Sequence, residues 1–264
     1  QRVVVMLKLD QDLPETVLLG SGRSGFAETL QETDALWFNN EQGAFEVDQD
    51  TAAIRRWHSA SDTHIATPAQ PNEGNGLLSQ AVAGLQCIPE VNCGMVVPEI
   101  TQSAGTFTMA VVYKPSEDYS ARTLLTLNTS YSGGKDHEPN YLFLSDGGDF
   151  FTVKDVRGCV DLTAPVTSSP NGMRMAIVTV SGDTLAVAEN RDPPVIAQGT
   201  DTGMKTTADL FIGCRSHRSG LKKTLGGAAI SEVMFWPKHA LLLPRTQADT
   251  DAYVALKRYF LWEY

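Results

Sequence analysis

Two stretches of the chain collect the residue types that recognise polar ligands. "TSYSGGKDHEPNY" (Thr129 to Tyr141) and "CRSHRSGLKKT" (Cys214 to Thr224) set aromatic, charged and hydroxyl side chains among glycines. Tyr131, Asp136, His137, Arg215, His217 and Arg218 can hydrogen-bond sugar hydroxyls, and a tyrosine can stack on the apolar face of a sugar ring. Asp136, Asp146 and Asp149, with Glu138 near them, supply the hard oxygen ligands that Ca2+ takes, although their spacing follows no recognised calcium loop. His58, His64, His137, His217 and His239 show no zinc-ligand spacing. No Gly-x-Ser-x-Gly elbow positions a nucleophile, and the phosphate-cradling glycine signatures are absent.

Composition narrows the partners. The formal charge of -10 argues against a diffuse basic surface for nucleic acid or an anionic membrane, and leaves a neutral or sugar partner open. No stretch has the apolar length of a transmembrane helix, and "QRVVVMLKLDQD" places charges where a signal peptide needs its apolar run. The chain begins with Gln1 and not Met, so a trimmed upstream signal would be out of view. Cys87, Cys93, Cys159 and Cys214 read as buried free thiols. Cys87 and Cys93, in "CIPEVNC", are also spaced to close a short disulfide loop in an oxidising compartment.

The elements that must position these loops are short strands. In "GTFTMAVVYKP" (Gly105 to Pro115), Phe107, Met109, Val111 and Tyr113 alternate with Thr106, Thr108, Ala110 and Val112. Both faces are apolar or neutral, as in an interior strand of a two-sheet structure. "MRMAIVTVSGDTLAVAEN" (Met173 to Asn190) predicts a hairpin turning at Gly182-Asp183. Further strands are expected at Thr123 to Leu127, Tyr141 to Leu144, Phe150 to Lys154, Val195 to Gln198, Asp209 to Cys214 and Ala228 to Trp236. At the C-terminus, Thr250 or Asp249 can cap a helix whose Ala252, Leu256, Tyr259 and Phe260 recur at spacings of three and four. The expected fold is an all-β, two-sheet antiparallel jelly-roll sandwich with a short C-terminal helix.

The last third carries a resemblance. "ADLFIGCR" (Ala208 to Arg215), "LGGAAISEVMFWPKHAL" (Leu225 to Leu241) and "RTQADTDAYVALKRYF" (Arg245 to Phe260) are similar, in order and spacing, to the end of concanavalin A-like, laminin-G-like jelly-roll domains. Gly227, Ile230, Glu232, Val233 and Trp236 occupy the family's "G-x-I-x-E-V-x-x-aromatic" positions. Near the other end, "ALWFNN" (Ala35 to Asn40), "AAIRRWHSASD" (Ala52 to Asp62) and "ATPAQP" (Ala66 to Pro71) resemble the lead-in of such domains in bacterial and phage proteins. The chain has His58, Ser59 and Ala60 where an Asp and a Ser-Gly-Asn turn usually follow the tryptophan. The resemblance implies core roles for Trp37, Trp57, Trp236 and Trp262. It implies one domain over residues 34–264, with residues 1–33 as an extension whose "VVVML" can pair as a docking strand.

The same sandwich supports polysaccharide-cleaving enzymes, so activity has to be sought in residues. The retaining glucanases carry E-x-D-x-x-E on one strand; "EVDQDT" (Glu46 to Thr51) ends in Thr51 and lacks the general acid. The Gln-x-His motif of an alginate-lyase-like site is absent. The leading expectation is therefore a non-catalytic carbohydrate-binding or adhesion module, of the phage spike or fibre kind, on a virion or extracellular surface. Its partners would be a surface polysaccharide, a second copy of the chain or a virion protein reached through the extension, without nucleic acid or membrane insertion. A virion assembly protein that binds no glycan, and a divergent polysaccharide lyase or glycoside hydrolase, are the alternatives.

Overall fold

The computed structural model describes residues 22–88, 91–116, 122–129, 140–156, 158–168, 172–199, 202, 204, 206–217 and 225–264. They form two antiparallel sheets packed face to face, with two helices on the outer side of one of them. In chain order the strands of the helix-covered sheet are β1 (Leu36–Phe38), β5 (Gly76–Ser79), β6 (Gly84–Cys87), β8 (Thr106–Lys114), β13 (Arg174–Ser181), β14 (Thr184–Glu189), β15 (Val195–Ala197) and β17 (Ala229–Pro237). They lie in the order β15-β14-β13-β8-β17-β6-β5, with β1 also paired to β17. The second sheet comprises β2 (Phe45–Val47), β3 (Ile54–His58), β4 (Ile65–Pro68), β7 (Met95–Thr101), β9 (Arg122–Asn128), β10 (Tyr141–Asp146), β11 (Phe150–Asp155), β12 (Asp161–Pro165) and β16 (Ala208–Ile212). Its order is β12-β11-β10-β9-β16-β7-β4-β3-β2.

The two-sided pattern of β8 follows from this stacking. Phe107, Met109, Val111 and Tyr113 enter the core between the sheets, while Ala110 and Val112 lie under the helices. Both faces are dry, which is why neither is charged. Thr108, also on the helix side, shares a 2.8 Å hydrogen bond with Thr179 of β13. This threonine pair accepts from the backbone N–H groups of Leu241 and Leu242, and so seats the segment that leads into the last helix.

The helices are α1 (Gly22–Glu32) and α2 (Gln247–Glu263). The expected stripe of α2 is present, with Ala252, Leu256, Tyr259 and Phe260 buried, but the cap lies earlier than Thr250 or Asp249. Thr246 is the N-cap, and Asp249 serves as the third helical residue of a reciprocal capping box. Residues 22–33, assigned to an extension from the sequence, pack on the sandwich. Phe26 stacks on Tyr259 at 4.4 Å and meets Trp37 edge-on at 5.3 Å. The "VVVML" run lies outside the described residues.

A carboxylate holds this layer down. Glu232 of β17 is fully buried and faces the helices. It accepts from Trp37 Nε1 (2.9 Å), the Tyr259 hydroxyl (2.6 Å), the Tyr264 hydroxyl (2.8 Å) and Arg23 Nη2 (3.0 Å). Burial pushes its carboxyl above the usual range, and the hydrogen bonds from Tyr259, Tyr264 and Trp37 oppose that shift.

The cysteines depart from the free-thiol reading. Cys87 and Cys93 are disulfide-bonded with Cα atoms 5.5 Å apart, closing the short loop after β6. Cys159 is exposed, whereas Cys214 is buried, and burial pushes its thiol up to about 12. The strands before β8 were missed apart from the lead-in pattern, because most span only three to five residues. β7 is longer but interrupted: Glu99 has a φ of +48°, and its N–H is taken by Asp209 Oδ1 where the β7–β16 register slips.

Two measurements check this account. Glu232→Ala leaves two phenols and an indole without their acceptor, and the unfolding free energy from urea titration is expected to fall by roughly 3–5 kcal/mol; Glu232→Gln, which keeps an acceptor oxygen, loses less. Alkylation of the native protein at mildly alkaline pH, read by mass spectrometry, is expected to mark Cys159 and spare Cys214, which becomes reactive only on unfolding.

Candidate functional site

With helices over one sheet, the outer face of the other is where strands carry outward side chains. Leu127, Leu142, Leu144, Val153 and Leu210 point into the core, so their neighbours point out. One cross-strand row of the ladder runs Thr67, Val96, Phe211, Thr126, Phe143, Lys154 and Asp161. A second runs Asp209, Asn128 and Tyr141, and a third runs Thr123, Ser145, Thr152 and Thr163. These outward rows are rich in hydroxyls and aromatic rings, and Thr123, Thr126, Phe143 and Phe211 within them are buried.

The segment after β16 folds back over these rings. Gly213, at φ +73°, makes the turn that the chain needs there. Cys214 then packs with Ala69, Val96 and Phe211, and its carbonyl accepts from Thr126 Oγ1 at 3.1 Å. The close approach requires Gly94, where a Cβ would fall 2.4 Å from the Cys214 sulfur. Arg215 comes to rest with its guanidinium 3.4 Å from the centre of the Phe143 ring, its Nε donating to Thr123 Oγ1 at 3.2 Å. His217 meets the Phe211 ring edge-on at 5.2 Å, and its Nδ1 accepts from the Gln70 N–H.

Described residues at the bases of the two polar loops singled out in the sequence are joined on this face. Asn128 Nδ2, at the base of the first, donates to the carbonyl of Arg215 in the second at 3.3 Å. The Asn140 carbonyl accepts from both Thr129 N and Thr129 Oγ1, closing the first loop. Arg215 and His217 therefore share one surface with Tyr141, whose ring lies 6.0 Å from that of Phe143. Tyr131, Asp136, His137 and Arg218 lie outside the described residues. Phe143, Phe211 and Thr126 were not foreseen as site residues; their outward direction becomes visible only once the strand register is known.

The calcium reading of Asp146 is corrected. Asp146 is buried and accepts from Tyr113 OH (2.7 Å), Arg174 Nη1 (2.9 Å) and Gly148 N (2.7 Å), so its charge is spent inside the sandwich. Asp149 is exposed in the β10–β11 turn. Among the described residues no group of three His, Cys, Asp or Glu side chains is placed to hold a metal ion. Trp37, Trp57 and Trp236 are core residues, whereas Trp262 is 55% exposed on α2.

A second polar cluster lies at the β2 edge. His58 donates from one ring nitrogen to Asp62 and from the other to Glu46, both at 2.8 Å, and Arg56 pairs with Glu46 at 3.2 Å. Glu46, His58 and Asp62 line a cleft of about 450 Å³ together with Asn39, Glu41, Ser59 and Ala60. Glu46 thus belongs to an ion-pair cluster, and Asp48 is taken by Arg55, Thr51 and the Asp50 N–H in the β2–β3 turn.

No family model matches the chain, and no curated protein matches it in sequence. Solved structures share the fold. A Trypanosoma rangeli sialidase mutant displaying trans-sialidase activity aligns with a TM-score of 0.53 at 13% identity, over 89% of this chain and 38% of that one. Trypanosoma rangeli sialidase in complex with sialic acid gives 0.51 at 13% identity, over 86% of this chain and 32% of that one. The Ruminococcus gnavus IT-sialidase CBM40 bound to α2,3-sialyllactose gives 0.44 at 10% identity, over 64% of this chain and 94% of that one. The chain spans about a third of the length of the sialidase chains, and at these identities the likeness is one of fold.

The His58 cluster makes stability depend on pH. Hydrogen bonds to Asp62 and then Glu46 raise the His58 pKa above its ordinary value, because only the imidazolium donates from both nitrogens. Its contribution is fully present below the unfolded pKa of about 6.5 and is lost as pH rises through the higher folded value. Urea midpoints measured from pH 5 to 9 are expected to fall across that window in the native sequence and to stay flatter in His58→Gln.

Proposed function

We propose that the chain is a non-catalytic carbohydrate-binding module, working as an adhesion element on a virion or extracellular surface, and that the outer face around Arg215 contacts the glycan. The observation that carries the reading is Arg215 fixed over Phe143 beside Tyr141, with its carbonyl bonded by Asn128 at the base of the other polar loop. Pre-positioned aromatic and guanidinium groups of this kind suit a sugar, which offers an apolar ring face and hydroxyls together. The neighbouring Thr152 and Thr163 hydroxyls and Lys154 extend the polar surface. The Cys87–Cys93 disulfide fits an oxidising, extracellular setting. The sialidases that share the fold are glycan-directed proteins, but the chain matches only a third of their length, so sugar recognition and not cleavage is what we infer.

A contact the size of one or two sugar rings gives weak single-site binding that gains from multivalent display. The test is a screen of bacterial-surface and plant polysaccharides with prolonged incubation of each hit. Binding without shortened chains is expected, and Arg215→Ala is expected to weaken it by roughly tenfold, about 1.4 kcal/mol, with little change in melting temperature. Shortened chains would replace the reading with an enzymatic one. Absence of binding across the screen would favour a purely structural role in assembly.

A further inference from the structure

Trp37, Trp57 and Trp236 are buried, while Trp262 stands 55% exposed near the end of α2, and Leu261 beside it is 58% exposed. Large apolar side chains set side by side in the open mark an interaction surface. The helices that carry this surface run antiparallel. Phe26 of α1 stacks on Tyr259 of α2, and four residues earlier Gly22 meets Trp262, where a Cβ would fall 3.0 Å from the ring Cδ1. The segment that leads into α1 therefore joins the domain against Trp262, at the C-terminal end of α2. Just before Gly22 the sequence reads Val17-Leu18-Leu19-Gly20-Ser21. Three Cα steps separate Leu19 from Gly22, a reach of at most about 11 Å.

We propose that Val17, Leu18 and Leu19 of the same chain cover Trp262 and Leu261 and complete the helix layer. The tether decides the occupant. Joined to Gly22 through two residues, the leucines meet the patch at an effective concentration on the order of millimolar, against roughly micromolar for a second copy in solution. Charge agrees with this placement. Val17 to Leu19 carry none, and Glu15, two residues ahead of them, comes within reach of Arg258, which is exposed one turn before Trp262. Covering Trp262 shields the rim of the Glu232 cluster, because Gly22 is followed by Arg23, which donates to Glu232. It also makes the extension leave the domain on the helix side, so a partner held by residues 1–16 lies across the sandwich from Arg215.

The test is acrylamide quenching of tryptophan fluorescence on the full chain, which reads Trp262 because the other three indoles are buried. The native chain is expected to quench little more than Trp262→Phe, in which only buried indoles remain. Leu18→Ser with Leu19→Ser is expected to lower the ratio of covered to open Trp262 at least about tenfold through lost apolar burial, seen as steeper quenching and a red-shifted emission. Leu261→Asp, at a side chain exposed enough for the domain to tolerate the charge, is expected to do the same. Val3→Ser, Val4→Ser and Val5→Ser together are expected to leave quenching unchanged. The proposal is overturned if Trp262 of the native chain quenches freely, if the leucine changes leave it protected, or if the valine changes open it. Protection that fades on dilution from micromolar to nanomolar protein also overturns it, and makes a second copy the occupant.

Discussion

A full carboxylate buried in the middle of a sheet has to be satisfied from every side, and Glu232 imposes that demand on four residues from three parts of the chain. Its strand, β17, is a central one, flanked by β8 and β6, and the side chain faces away from the other sheet. Trp37 arrives from β1, Arg23 from α1, and Tyr259 and Tyr264 from α2. None of these segments has reason to meet the others on its own. α1 contains two glycines, Gly22 and Gly25, and no acidic residue in its first turn, so its helical state depends on packing more than on propensity. Phe26, Trp37 and Tyr259 pack beside the Glu232 carboxylate, which is itself out of contact with water, and this strengthens its hydrogen bonds.

That layer decides which surface is left for a ligand. Because the helices cover the sheet that contains Glu232, the polar outward positions fall on the other sheet, from Glu46 and His58 at one edge to Thr163 at the other. The outward face is then furnished from beyond its own strands. The turn at Gly213 returns Cys214, Arg215 and His217 over Phe211 and Phe143, turning two flat aromatic positions into a shaped surface. Stiffness comes from beneath, where Leu125, Leu127, Leu142 and Leu144 are fully buried against the opposite sheet. A surface built in this way holds its donors in place before a ligand arrives, which reduces the entropy lost on binding.

Much of the fold was legible because its signals are local. Alternation in β8, the Gly182-Asp183 turn and the helical stripe of α2 each depend on residues within one element, and each matches the structure within a residue or two. The lead-in was not legible as strands, since pieces such as Gly76–Ser79 and Gly84–Cys87 are too short to show a period. Pairing to neighbours is what makes them strands. The candidate site divides in the same way. Arg215 and His217 stood out by residue type, whereas Phe143, Phe211 and Asn39 looked like ordinary core or loop residues.

The sequence by itself determined the alternating strands, the net negative charge, the polar loops and the amphipathic last helix, because side-chain chemistry and spacing act over a few residues. Tertiary structure alone decided that Asp146 would be consumed by Arg174 and Tyr113, that Cys87 would bond Cys93, and that residues 22–33 would pack on the sandwich. It also decided that Asn128 and Arg215, 87 residues apart, would bond. These outcomes depend on register and on which elements cross, and the free energy of a buried charge or a shared hydrogen bond exists only after distant segments have come together.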